Sequence, residues 1–296
     1  MTKVFRFVAV CAITVVFATF SIAWSQTYTQ VDYPGAAATT LNGGPNPQGT
    51  AVGTWTDSSG VVHGLTYNNY TKKFTSFDPP GSVATTPNFI TPEGIIVGVY
   101  TDSGGVLHGF ILARGQYQTV DYPGAAGTAL DGINPLGEIV GFECEDNACT
   151  NFHSFTRSVT GKFSSPFDPP GAAISEPATA NLFGVIVGGY WTVSPPQNQY
   201  LHGYQLFNGK YTTIDFPGTT SGTFCGGNNL QNDIVGQYID SSGAFHSFLL
   251  KDGKYTSFDP PGATGGSVAA GINVFDVIVG LFADSAGNVH GYVRTP

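Results

Sequence analysis

The chain has 296 residues, of which 10% are charged and 13% aromatic, with 40 glycines and 19 prolines. That composition excludes a disordered chain, and a formal net charge of −9 without Lys/Arg clusters excludes nucleic acid and anionic membrane surfaces as partners. A single Met and no sustained helical spacing of apolar residues predict short strands joined by tight turns.

In chain order, residues 1–25 read as an export signal. Lys3 and Arg6 precede an apolar run from Phe7 to about Ala23, and the small residues Ala23 and Ser25 permit cleavage. The run is nearly long enough to span a bilayer, which makes a retained anchor the alternative. Cys11 is followed by more apolar residues, which argues against a lipoprotein anchor. Cleavage leaves nine basic and 20 acidic residues, a net charge of −11. The expectation is a secreted (extracellular or periplasmic) domain over 26–296 that makes no membrane contact.

Three markers recur along that domain. Corners of the form "DYPG", "DPPG" or "DFPG" place aspartates at Asp32, Asp78, Asp121, Asp168, Asp215 and Asp259. A tripeptide "HGF", "HSF" or similar places histidines at His63, His108, His153, His202, His246 and His290, which are all the histidines of the chain. Between them lies a turn and strand such as "GINPLGEIVG" at Gly132, whose turn residue is Asn46, Thr91, Asn134, Asn181, Asn229 or Asn273. These turn residues either hold their turns or line a central channel, and turns are the preferred reading.

One unit is thus a strand, a polar turn, an "IVGxY" strand, a "DSxG" turn, an "HGF" strand, another turn, and a strand ending in "DPPG". Four strands in about 45 residues fit a propeller blade. The domain begins with "YTQVDYPG", the last strand of a unit, and ends with "VHGYVRTP", which lacks it. The prediction is an all-β, six-bladed β-propeller, its ring closed by the N-terminal strand joining the last blade. An open β-solenoid is the alternative. With its "HGF" tripeptide, "IVG" strand and "INxxG"-like turn, the unit resembles the bacterial His-Ala-Phe (HAF) extracellular repeat family over essentially the whole domain. The resemblance implies export and tandem repetition, and it brings no activity or catalytic residue.

Hairpin register assigns partners to the histidines. Two-residue turns at Arg114-Gly115, Asn208-Gly209 and Asp252-Gly253 set His108 opposite Asp121, His202 opposite Asp215 and His246 opposite Asp259. Ring closure sets His290 beside Asp32. Longer loops leave His63 and His153 unassigned. A His–Asp pair is two-thirds of a hydrolase triad, but a group repeated in every unit maintains a repeated fold, so the pairs are read as structural. The small residue after each histidine lies across from the bulky residue before each aspartate.

Each "DSxG" aspartate is expected to bond its own turn rather than calcium. The "IVGxY" aromatics Trp55, Tyr100, Tyr190, Tyr238 and Phe282 are expected to pack between blades, and Glu143 breaks that series. Export suits a Cys144–Cys149 disulfide, with a metal site as the weaker reading and Cys225 left as a buried thiol. No catalytic residue, cofactor or metal is assigned.

Function is expected where the units differ. Unit three carries "ECEDNACTN" and unit four "WTVSPPQNQY", which nominates Trp191, Tyr200, Gln197, Asn198 and Glu143 as ligand contacts for a glycan or a surface protein. The leading function is a non-catalytic binding module. A structural component of the cell exterior and an enzyme with its site in the central channel are the alternatives, and the sequence sets no oligomeric state.

Overall fold

The structure, a computed structural model, describes residues 26–193, 201–219 and 221–296. The N-terminal segment 1–25 and the candidate contacts Gln197, Asn198 and Tyr200 lie outside the described residues. Among the described residues there are 23 strands and no helix, hence no helix able to cross a membrane.

Strand β1 (Thr27–Val31) precedes the first unit. Strands β2 (Ala38–Gly43), β3 (Thr50–Thr56), β4 (Val62–Asn68) and β5 (Lys73–Phe77) form one antiparallel meander. Strands β6 (Ser82–Ile90), β7 (Ile96–Asp102), β8 (Leu107–Ala113) and β9 (Gln116–Val120) form the next. In the third unit, β10 (Gly127–Ile133), β11 (Ile139–Cys144) and β12 (Phe152–Arg157) are three full strands. Its outer edge is reduced to two bridges, Arg157 to Phe163 and Ser154 to Phe167.

The fourth unit comprises β13 (Ile174–Ala180), β14 (Ile186–Trp191), β15 (Leu201–Phe207) and β16 (Lys210–Ile214). The fifth comprises β17 (Gly222–Asn228), β18 (Ile234–Ile239), β19 (Phe245–Lys251) and β20 (Lys254–Phe258), joined to the fourth by one parallel pair, Leu201 with Gly222. Strands β21 (Ser267–Ile272), β22 (Ile278–Ala283) and β23 (Val289–Thr295) complete the chain. Their fourth strand is β1, from Thr27 paired with Thr295 to Val31 paired with Gly291. Successive meanders packed face to face make this an all-β propeller.

Turn chemistry explains the local geometry. Arg114-Gly115, Asn208-Gly209 and Asp252-Gly253 have positive φ at both residues, as a two-residue hairpin of the primed type requires. In the corners, Ala36 N–H donates to Tyr33 O across Pro34-Gly35, and Ala125 N–H to Tyr122 O across Pro123-Gly124. Proline presets the first central residue of such a turn, and glycine accepts the positive φ of the second.

The core lies between units. The valine of each "VG" pair is buried in a cluster with the following unit: Val52 with Ile90 and Phe110, Val97 with Leu130 and Phe155, Val140 with Tyr204, Val187 with Phe248, and Val235 with Tyr292. Val279 of the last unit packs with Leu41, Ala51 and Leu65 of the first. Burying one such side chain fully is worth about 1.5–3 kcal/mol.

The innermost strand of every unit carries one extra residue. Pairing steps from Leu41 to Gly43, from Pro87 to Phe89 and from Leu130 to Gly132. It steps likewise from Pro177 to Thr179, from Cys225 to Gly227 and from Ala269 to Gly271. The partner just before each step is the glycine of the "VG" pair: Gly53, Gly98, Gly141, Gly188, Gly236 or Gly280. A Cβ there would collide with a carbonyl oxygen of the innermost strand, such as Ala129 O for Gly141. Gly141→Ala is therefore expected to cost about 1–3 kcal/mol, read as a lower urea midpoint. An unchanged midpoint would mean that the bulge does not depend on the glycine.

Candidate functional site

The repeated histidine lies in one arrangement in all units. Its Nδ1 is 2.7 Å from Asp78 at His63, 3.1 Å from Asp121 at His108 and 2.6 Å from Asp168 at His153. The distances are 2.9 Å to Asp215 at His202, 2.8 Å to Asp259 at His246 and 2.7 Å to Asp32 at His290. The small residue after each histidine pairs with the bulky one before each aspartate, as in Gly109 with Val120, Gly203 with Ile214 and Ser247 with Phe258. The imidazoles are half-buried, 17–35% exposed.

Two features of this corner go beyond the sequence reading. The "DSxG" aspartate does bond its own turn: one Asp102 oxygen accepts from Gly104 and Val106 N–H, and one Asp284 oxygen from Ala286 and Asn288 N–H. Its second oxygen faces Nε2 of the histidine, at 3.7 Å for Asp57, 3.5 Å for Asp102, 3.3 Å for Asp240 and 3.4 Å for Asp284. Glu145 takes that place for His153 at 3.6 Å. The "IVGxY" aromatic lies over the ring of its own unit's histidine, with centroids 4.6 Å apart for Trp55 and His63 and 5.2 Å for Tyr238 and His246. Some also stack on a neighbouring corner, as Tyr33 does on Trp55 at 4.3 Å.

A histidine between two carboxylates favours its charged form. Burial opposes charging of His246 and His290, but the hydrogen bonds to Asp259 and Asp240, and to Asp32 and Asp284, outweigh it and raise both rings above 6.5. Hydrogen bonds lower the turn carboxylates, led by Val106 N–H at Asp102 and by the Asn288 side chain at Asp284, which falls to about 2. In two units a serine also meets this group, without forming a triad. Ser175 and Ser267 donate to Asp168 (2.7 Å) and Asp259 (2.6 Å) rather than to the imidazole.

The departing units are placed as follows. Cys144 and Cys149 form a disulfide, and Cys225 is a buried free thiol. Glu143 is buried opposite His153, and burial raises its carboxyl. Trp191 sits elsewhere, on the wall of a cavity that Glu143 does not line, so the two do not share a site.

That cavity, about 360 Å³, is lined by the extra residue of every innermost strand: Asn42, Asn88, Asp131, Ala178, Gly226 and Ala270. The fold is repetitive and this ring is not. Three consecutive units present polar side chains and three present small ones. Asn42 Nδ2 donates to Pro87 O (3.2 Å), and Asn88 Nδ2 donates to Leu130 O and Asp131 Oδ1 (both 3.1 Å). Asp131 has no N–H to continue that chain. It is 8% exposed, and its Oδ2 is buried without a hydrogen-bond partner. Glu176 and Gln237 add polar groups, and Trp191, Phe224 and Phe245 supply an aromatic wall. Burial, then the charge of Glu176, raise Asp131 well above the carboxylate range, and burial pushes Glu176 up to about 7.

The turn asparagines both hold turns and border the channel. Asn46 Oδ1 accepts from Gln48 and Thr50 N–H, and its Nδ2 donates to Thr91 O of the next unit. Asn46, Asn181, Asn229 and Asn273 line a separate, apolar cavity of about 240 Å³.

No protein-family model matches the sequence, and no curated protein matches it. Solved structures share the fold at low identity. One is a protein of unknown function from Dyadobacter fermentans, 12% identical with a TM-score of 0.58, covering 90% of this chain and 97% of that one. Another is a putative TolB from Agrobacterium tumefaciens, 13% identical with a TM-score of 0.52, covering 92% and 99%. A third is the Aleuria aurantia lectin, a six-bladed β-propeller with a fucose recognition mode, 10% identical with a TM-score of 0.52, covering 86% and 90%. Each is a likeness of fold alone.

The corner and the acid pair set the pH dependence of stability. His246 and His290 are raised in the folded state, so their contribution is complete below 6.5 and lost as pH rises through their folded values. Asp131 and Glu176 act in the same direction. The lowered turn carboxylates contribute above 3.8 and lose that contribution as pH falls further. Thermal scans should show the midpoint rising from about pH 8 to 6 and falling below about pH 3.8. The His246→Gln/His290→Gln double variant should keep only part of that rise; a variant with the full rise would remove the corner from the account.

Proposed function

We propose that this chain is a six-bladed propeller, closed by β1 on the last blade, that binds a small carbohydrate in its channel without transforming it. The sixfold sequence unit, the β1–β23 ladder and the packing of Val279 on Leu41 support the closed ring. The resemblance to HAF repeats, the apolar N-terminus and the Cys144–Cys149 disulfide support export. The observation that carries the binding reading is the unequal channel ring. Asn42, Asn88 and Asp131 of the first three units face small residues of the last three, where Trp191, Phe224 and Phe245 add aromatic surface and Glu176 and Gln237 add polar groups. Sugar hydroxyls pair with the polar groups, and the apolar faces of sugar rings rest on the aromatic surface. A cavity of about 360 Å³ suits a ligand of one or two sugar units. The fold is shared with a fucose-recognising lectin, which adds support of the same kind.

A second reading, assembly at the cell exterior, draws on one observation. Leu136, Phe183 and Phe275 occupy the same turn position in three units and are 60–64% exposed.

A glycan array tests the first reading. Binding to a defined set of glycans is expected, weakened at least tenfold by Trp191→Ala. Product analysis on the same array separates binding from hydrolysis, for which an acid pair would also serve. Silence across the array, with a discrete oligomer by light scattering, would favour assembly.

A further inference from the structure

Deepening the binding reading and resting on it, we infer that the channel ligand carries a protonated amine, as an amino sugar does, and that its ammonium group sits between Asp131 and Glu176. Three observations lead there. First, Asp131 lines the cavity while 92% buried, and its Oδ2 has no hydrogen-bond partner. A buried acceptor without a partner favours a donor that reaches it. Second, Glu176 lines the same cavity, and no Lys, Arg or His is among the residues that do. A buried and a partly buried carboxyl without a counter-charge favour a proton or a cation between them. Third, a bare metal ion leaves most of the cavity unused. Trp191, Leu201, Phe224, Ile239 and Phe245 form an apolar wall suited to a carbon skeleton attached to the charge.

The neighbouring units show what is specific to Asp131. In the two preceding units the equivalent residues are Asn42 and Asn88, whose amides donate sideways to a backbone carbonyl. Asp131 accepts from Asn88 through Oδ1, which fixes its carboxyl plane and leaves Oδ2 for the ligand. An ammonium group has three donors, enough for Asp131 Oδ2, Glu176 and one further acceptor such as the Gln237 amide. An N-acetylated amine has one donor and no charge and cannot do this.

Proton linkage follows. Glu176 is raised to about 7 and Asp131 well above its usual value, so an arriving cation displaces protons. The other titratable group that interacts with Asp131 is the Tyr204 phenol, which burial keeps neutral. Binding should strengthen as pH rises from about 5.5 to 7.5, about tenfold for each proton released per pH unit.

Titration calorimetry on the full chain tests this with glucosamine and galactosamine, as monomers and short oligomers, against their N-acetylated counterparts. The free amines are expected to bind at least tenfold more tightly at pH 7.5, with the advantage shrinking at pH 5.5. Asp131→Asn restores the residue type of the two preceding units, so it should fold with an equal or higher midpoint and lose the amine preference. Equal or tighter binding of the acetylated forms would overturn the amine inference and leave the binding reading standing. So would an amine preference that survives in Asp131→Asn, or a response to calcium chloride without one to the amines. No binding of either set, together with a silent array, would overturn both.

Discussion

The architecture depends on a backbone contact at the glycine of each "VG" pair. Without a Cβ, the second strand of each unit lies against a carbonyl of the innermost strand, and the innermost strand absorbs one extra residue at that point. A bulge reverses which face the following residues present. Here it frees one side chain per unit from both sheet faces, and all six of these residues line one cavity. Packing between units is built from the adjacent valine, the large apolar residue of the "HGF" strand and their neighbours, and none of the six channel-facing residues belongs to those clusters. That separation lets a repeated fold carry an unrepeated site.

The histidine corner is the complementary case. A corner carboxylate holds every imidazole, and four units add both a turn carboxylate and an aromatic ring; the third unit keeps a carboxylate in Glu145 but has Glu143 at the aromatic position, and the fourth keeps the aromatic Tyr190. The corner ties the third strand of a unit to the fourth, and in the last unit it ties the chain's end to its beginning through His290 and Asp32. Half-exposed pairs of this kind are individually worth up to about 1 kcal/mol. Their value is in fixing where the outer strand sits, and their sixfold repetition carries no information about a ligand.

Much of the fold is legible in the sequence. The spacing of His108 and Asp121 about Arg114-Gly115, the Pro-Gly corners and the incomplete last unit all depend on short-range turn chemistry. The second carboxylate at each histidine is not legible in the same way, because a turn aspartate has its bonding satisfied locally and only the folded hairpin brings its other oxygen to Nε2. The channel ring is harder still. Alternation along "GTALDGI" assigns Asp131 to a sheet face, and only the extra residue turns it into the channel. A signal was nonetheless present: three residues before Thr91, Asn134, Asn181, Asn229 and Asn273 stand Asn88, Asp131, Ala178, Gly226 and Ala270, a position that varies inside an otherwise repeated strand. The larger differences between units, in the loops at Cys144–Cys149 and after Trp191, mask this single-position variation.

Under the proposed binding function, a ligand is felt in the channel and not at the corners. Chemical-shift mapping of the labelled protein with its tightest array ligand tests this most directly. The account predicts perturbations concentrated at Asn88, Asp131, Glu176, Ala178 and Gly226, with the six histidines unmoved. Perturbations centred on the histidine corners and absent from the channel ring would contradict it.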